Sequence, residues 1–371
     1  MDQQQRLLSL DIFRGITIAG MILVNNPGSW EEVYAPLLHA DWHGVTPTDW
    51  IFPFFIFIVG VAIAYAVGKR KEQGDHKTLV RKIIKRTLII FGIGLFLNGF
   101  PYFNLGTIRI PGVLQRIALV YGATSMLFLY LDPRQLFWVG VGCLLGYWAL
   151  MTLVPVPGVG TPNLEPSTNL GAWLDRTIMN GHLWSQSKTW DPEGLLSTLP
   201  AIGTGISGVL AGLWLRKPSD GYEKAAGLLA VGVILLSLAC VWDLVFPINK
   251  KIWTSSYVLY TSGAALLFLG AVYWLVDLKG YKGWTKPFVV YGTNALFVFV
   301  MSGIVAKLLY TIKWTNAAGE TITAKTWLWE SVYEPAFASV KFASFAFAMT
   351  NVLFFLALSW VLYAKKIFIK V

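Results

Sequence analysis

The chain has 371 residues, of which 55% are hydrophobic, 15% aromatic and only 13% charged, with a formal net charge of +10. A soluble domain carries about 25% charged residues, so a water-soluble globule is excluded, and apolar runs recur at the ~20-residue length that carries a helix across a bilayer core. The runs are too long and too uniformly apolar for an outer-membrane barrel, whose strands alternate over ~10 residues.

The expected fold is an all-α polytopic membrane protein of about ten transmembrane helices, a single domain over residues 1–371 with no separate soluble part, internal repeat or low-complexity stretch. Leu7–Leu23 is the first span, and it carries Asp11 and Arg14 three residues apart on one helix face, as an ion pair or as functional groups at membrane depth. Polar Met1–Arg6 precedes it, and no small-x-small site marks a cleaved signal peptide. A loop rich in His, Asp and Trp leads into the second span, Trp50–Val67. The most basic segment, Lys69–Arg86, follows, then Thr87–Leu97 as the third span. The loop Asn98–Gln115 precedes Ile117–Leu131 and Leu136–Val154, and a long loop, Pro155–Leu195, leads to Leu196–Leu215. The remaining spans are Ala225–Phe246, Tyr257–Val276, Pro287–Tyr310 and Ala343–Tyr363, before a basic tail.

Lys and Arg are more than twice as frequent in the loops on the Lys69–Arg86 side as in the others. That is the positive-inside pattern and accounts for the net charge without nucleic acid. It places both termini in the cytoplasm and the His39 loop outside. Cys143 and Cys240 both fall in apolar runs and are expected to be packing residues.

Four polar clusters then share the outer side: Asn25 and Asn26 with His39–Asp49, Arg109–Arg116, Asp191–Glu193, and Asn249–Trp253. His39 and His43 have a zinc-helix spacing, but Ala40 stands where a metalloprotease needs its general-base Glu. No serine-nucleophile elbow is present either. A histidine at the membrane boundary is suited to general-base chemistry, and Asp49, ten residues on, is placed to orient it.

The motifs LDIFRG, Val24–Asn25, HADWHGVTPTDWIFPFFIFIVG, RIPGVLQR, DPEGLLST and INKKIWTSSYVLYTSG occur in this order along nearly the whole chain. Together they resemble the heparan-α-glucosaminide N-acetyltransferase family. The resemblance implies a transmembrane enzyme that moves the acetyl group of cytoplasmic acetyl-CoA to the amine of a glucosamine-type sugar on the other side. It places His39 at the catalytic histidine and Asn25 at an asparagine lining the same site, with no metal. His43 stands where the animal enzyme has Asn. The compact form, without a large lumenal N-terminal domain and its leading span, leads us to expect a bacterial inner-membrane protein with a periplasmic outer face. A homodimer is also implied.

On this reading His39, Asn25 and Asp49 form the catalytic set. His39 is either the general base or an acetyl-carrying nucleophile, and Asn25 or Arg116 stabilises the oxyanion. Arg14, Arg116, Lys85 and Arg86 are the candidate cations for acetyl-CoA, although basic residues in Lys69–Arg86 also simply satisfy topology. Trp42, His43, Asp191, Glu193, Lys250 and Trp253 are the candidate sugar contacts. Asp191 and Glu193 are equally suited to pair with Arg109 or Arg116, and one of Lys250 and Lys251 is expected to have a partner. His182, Trp184 and Trp190 fit an interfacial aromatic belt or a sugar surface. An amino-sugar transporter for N-acetylglucosamine is the alternative function.

Overall fold

The computed structural model describes residues 7–316 and 319–369; Met1–Arg6 and the last two residues of the basic tail lie outside them. The described chain is helical apart from one short hairpin. The helices are α1 (Leu8–Asn25), α2 (Ile51–Ala66), α3 (Gly68–Lys71), α4 (His76–Gly99), α5 (Val113–Tyr130), α6 (Pro133–Leu153) and α7 (Leu170–Met179). They continue as α8 (Thr198–Arg216), α9 (Gly221–Asp243), α10 (Ser255–Val272), α11 (Lys286–Thr293), α12 (Ala295–Thr311), α13 (Ala324–Leu328) and α14 (Val340–Ala364). Strands β1 (Lys313–Thr315) and β2 (Thr321–Thr323) pair antiparallel, with Trp314 opposite Ile322.

Eight described helical segments are long and apolar enough to cross a membrane, and a ninth span arises if α11 and α12 count as one. The protein is a multi-pass, all-α membrane protein. The expected third span falls in the apolar half of α4, a 24-residue helix capped by the Asp75 side chain on Thr78 N that is not among those eight. Its basic first half is helical rather than loop, since Lys and Arg are good helix formers. The expected span Pro287–Tyr310 is bent by 81° between α11 and α12. Asn294 sits at that break, donating to Ile367 O at 3.1 Å and accepting from Ile369 N at 2.8 Å. Within the long loop, Asn169 caps α7 through Ala172 N. Cys143 and Cys240 are unbonded, and Cys240 is exposed on α9 rather than packed.

The chain divides into two compact units. The first takes the residues up to His39, then Thr46–Ile51, and those from Tyr281 onward; the second takes Ala40–Val45 and Phe52–Gly280. In the first, α1 packs against α11, α12 and α14, and the Tyr291 hydroxyl donates to Val352 O. In the second, α5 packs on α4 and α8, and α10 on α8 and α9.

Helices α2 and α8 meet with almost no side chain between them. A Cβ on Gly208 would lie 2.1 Å from Phe57 O, and one on Gly60 would lie 2.1 Å from Gly205 O. Small residues let helix backbones approach where no hydrophobic drive separates helix from lipid. Gly208→Val is therefore expected to cost about 1–3 kcal/mol or more through overpacking, read as a lower thermal midpoint in detergent. Gly142 and Gly146, with open space at their Cβ positions, tolerate Ala as the control.

Candidate active site

His39 and Asp49 belong to the same unit, and the local backbone brings them together. Ala35–Leu37 and Pro47–Trp50 each form a 3-10 turn. The second is opened by a capping box, in which Thr46 N donates to Asp49 Oδ2 at 2.9 Å and Asp49 N to the Thr46 side chain, and Asp49 N also donates to Thr46 O at 3.0 Å. The Thr46 hydroxyl lies 2.6 Å from Leu38 O and 3.1 Å from Asp49 Oδ2. The Thr48 hydroxyl donates to Pro36 O at 3.0 Å. These bonds tie the backbone just before His39 to the turn that carries Asp49. His39 Nδ1 and Asp49 Oδ1 are 2.6 Å apart, with the Asp49 side chain 1% exposed and the His39 side chain 43% exposed. A carboxylate only accepts, so Nδ1 carries the proton and the ring lone pair sits on Nε2. Imidazole at a water-accessible surface, oriented by a buried carboxylate, is a general-base arrangement.

In that same unit, Asn25 is exposed at the end of α1. Arg14 Nη1 lies 3.4 Å from Asp11 Oδ1 and 3.3 Å from Gly292 O. The ion-pair reading of Asp11 and Arg14 is the geometry seen, and the guanidinium also caps a terminal carbonyl of α11.

In the second unit, Ala40–Val45 is strapped to the Ile248–Lys251 turn. Gly44 N donates to Ile248 O at 2.7 Å, and Lys251 Nζ to Asp41 O at 2.5 Å. Asn249, fully buried, places its Nδ2 3.3 Å from His43 Nδ1. Trp42 donates to Leu164 O at 2.9 Å and packs edge-on to Trp190, which packs edge-on to Trp184. These half-buried rings form a connected aromatic cluster. His182 Nδ1 is bonded to Ile108 O. Lys250 is half-buried in the same turn.

Asp191 and Glu193 pair with Arg109. Its Nε and Nη2 fork onto the two Asp191 oxygens at 2.8 and 2.5 Å, and Nη2 also reaches Glu193 Oε2 at 2.5 Å. Burial opposes the charge on Arg109, but the bonds and proximity to the two carboxylates prevail and its pKa is raised. Both carboxylates are committed to this ion cluster, so their geometry is structural. Trp253 also departs from the expected surface role. It is 0% exposed, enclosed by Phe52 and Tyr257, and donates to Thr204 Oγ1. Arg116 lies over its ring at 5.2 Å and is itself 1% exposed. Arg116 Nη2 donates to Gly194 O and Ser197 Oγ, while Nε and Nη1 have no partner among the described residues. Arg116 is thus held inside the protein, and Arg14 is half-buried and engaged with Asp11 and Gly292 O. Lys85 and Arg86 are exposed on α4 beside Arg81 and Lys82, with Arg86 over the Tyr121 ring at 4.9 Å. Of the candidate cations, this α4 pair presents charge to a diffusing polyphosphate. No group of three or more metal-ligating side chains occurs among the described residues.

Thr46, Asn249 and Asp175 are not among the candidate site residues of the sequence, although Asn249 opens the fourth polar cluster and Thr46 carries the Thr-x-x-Asp capping pattern. Asp175, on α7, is 2% exposed and accepts from Leu195 N at 2.9 Å. Burial pushes its pKa up to about 6, with Asp191 adding to the rise against the Leu195 hydrogen bond. The folded pKa exceeds the unfolded value, so the folded state binds more protons between about pH 4 and 6. Stability is therefore lost as pH rises through that window, by roughly 3 kcal/mol at 1.36 kcal/mol per pKa unit. Asp175→Asn keeps an acceptor for Leu195 N and is expected to raise the thermal midpoint at pH 7.5 while flattening its pH dependence. A midpoint that falls equally at pH 5 and pH 7.5 would refute this.

Residues 6–175 match the family model described as heparan-alpha-glucosaminide N-acetyltransferase, catalytic. Among curated proteins, the chain is similar to the heparan-alpha-glucosaminide N-acetyltransferase of Homo sapiens, 30% identical over 309 residues, covering 68% of this chain and 46% of the relative. The Mus musculus protein of the same name is 29% identical with the same coverage. The chain spans about half the length of these relatives. The family match takes in His39, Asp49, Trp42, His43, Arg109 and Arg116, and stops before Asp191, Glu193, Lys250 and Trp253. Over residues 6–175 the chain is thus similar to the heparan-alpha-glucosaminide N-acetyltransferase catalytic family.

Proposed function

We propose that the protein is a transmembrane N-acetyltransferase that passes the acetyl group of acetyl-CoA to the amine of a glucosamine-type sugar, with His39 as general base. The observation that carries this reading is the 2.6 Å pair between His39 Nδ1 and the buried Asp49 carboxylate. The two relatives are named for acetyl transfer to a glucosaminide; the reaction class comes from them, and the His39–Asp49 geometry supports His39 as the base.

An amino sugar attacks only as the free amine. His39 Nε2 takes the proton released as the amine nitrogen bonds to the thioester carbonyl carbon. Asp49 stabilises the imidazolium that forms and holds the ring in its productive tautomer. On collapse the C–S bond breaks, and His39 returns its proton to the departing thiolate, so the products are the N-acetyl sugar and free CoA thiol. Asn25, exposed at the end of α1, is the amide donor assigned to the oxyanion. Lys85 and Arg86 are assigned to the CoA phosphates. The basic-loop asymmetry of the sequence assigns the Lys69–Arg86 loop to the cytoplasm and the His39 loop to the other side.

The transporter alternative needs broken spans in matching halves. Among the described residues one span is bent, at Asn294, without a matched second. The deciding assay is thiol release by purified protein given acetyl-CoA and glucosamine. Amine-dependent release with one N-acetylglucosamine formed per CoA supports the enzyme. Uptake of N-acetylglucosamine into proteoliposomes without any thiol release would replace it with the transporter.

A further inference from the structure

The second unit holds an apolar cavity of about 340 Å³ between α6, α8, α9 and α10. All four helices are candidate spans, so the cavity lies at membrane depth. Its inner walls, α8 and α10, are mostly buried. Its outer walls, α6 and α9, are the ones with 28% and 22% of their spans buried. Two lining residues, Phe137 and Val231, are 48% and 46% exposed, so the space reaches the molecular surface between those outer helices.

The lining asks for no polar ligand atom. The two lining serines, Ser207 and Ser262, are 2.9 Å apart and hydrogen bond to each other, and Ser207 also donates to Thr204 O. What remains is aliphatic and aromatic. An apolar cavity of ~150 Å³ already stays dry and takes up small hydrocarbons, and this one is more than twice that size. A dry void this large forfeits the dispersion contacts of every wall atom, so hydrocarbon is its natural filling.

One end of the cavity is marked by charge. Trp214 lines that end, its Nε1 donates to Lys224 O at 3.1 Å, and Lys217 Nζ lies 4.5 Å from its ring centroid. An indole with a lysine ammonium over its ring, at the rim of an apolar slot, is the arrangement that seats a lipid, with headgroup at the basic rim and chain inside.

We propose that this cleft binds one acyl chain of an anionic phospholipid from the surrounding bilayer, with its headgroup at Lys217. The site is independent of the His39–Asp49 pair and of the acetyltransferase reading.

The test uses full-length protein in nanodiscs of phosphatidylcholine with a trace of phosphatidylglycerol carrying a mid-chain diazirine, followed by mass-spectrometric mapping. Labelling is expected on cavity-lining Leu210 and Leu266 as well as on outward residues of α14 such as Leu353 and Phe354. Val231→Trp, which fills the mouth from an already exposed position, is expected to cut cavity labelling about tenfold (about 1.4 kcal/mol) and leave α14 labelling unchanged. Leu235→Trp serves as the second filling variant, and intact α14 labelling shows that either has folded. Lys217→Glu should remove the preference for phosphatidylglycerol over an equally labelled phosphatidylcholine. Wild-type labelling confined to outward faces, or cavity labelling that both filled variants retain, overturns the site. Equal labelling by the two lipids in wild type overturns the anionic headgroup.

Discussion

His39→Ala is expected to lower kcat for acetyl transfer by about 10²–10⁴-fold, the usual contribution of a positioned general base. Asp49→Asn is expected to do comparable damage while leaving the fold intact. Asp49 Oδ2 accepts from Thr46 N and Oδ1 faces His39 Nδ1. In the amide, the oxygen must stay with the Thr46 N–H, so the NH2 group turns to His39. That forces His39 Nδ1 to accept and moves the ring proton to Nε2, the wrong tautomer for taking a proton from an amine. The same inversion in a serine-protease triad costs about 10⁴ in kcat. The effect should fall on kcat, with KM for acetyl-CoA little changed, because neither residue is assigned to the CoA phosphates. Thr46→Val loses the hydroxyl but keeps the backbone donor, so an intermediate loss is expected. The measurement is thiol release at saturating glucosamine. A His39→Ala protein that keeps more than about a tenth of wild-type kcat would remove His39 from the role of base.

The spans are legible because apolar length is a strong signal, and each expected span falls on helix, although Pro287–Tyr310 is broken into α11 and α12. The departures share a cause. Charge marks where a helix leaves the membrane, not where it ends, so the basic start of α4 looks like loop in the sequence. The break at Asn294 lies inside an uninterrupted apolar run, and the tail residues Ile367 and Ile369 that engage its side chain are more than 70 residues away. Within the site, the His39–Asp49 pairing was legible because ten residues and a capping box bring the two together locally. The choice of Arg109 over Arg116 as partner for Asp191 and Glu193 was not, since it depends on contacts across 82 and 84 residues. Trp253 shows the same limit. An aromatic residue in a polar turn reads as a surface contact, and only tertiary packing shows it enclosed beneath Arg116.

That ion cluster sets the largest expected stability effect. Arg109→Ala removes the one cation shown bonded to Asp191 and Glu193, whose side chains are 0% and 9% exposed. Breaking a buried pair by deleting one partner costs about 3–5 kcal/mol, because a desolvated charge is left without compensation. Here two carboxylates lose it, so unfolding at or near room temperature in mild detergent is expected. Arg109→Lys should rescue only in part, since an ammonium cannot fork onto both Asp191 oxygens while reaching Glu193. The triple variant Arg109→Met, Asp191→Asn, Glu193→Gln discriminates between lost attraction and stranded charge. Replacing a buried ionic group by uncharged side chains of similar size is often near neutral, so this variant should recover most of the stability that Arg109→Ala loses. Thermal midpoints of the four proteins decide the matter. If the triple variant is no more stable than Arg109→Ala, the cluster holds the loops between α4 and α5 and before α8 through its hydrogen-bond geometry rather than through charge balance.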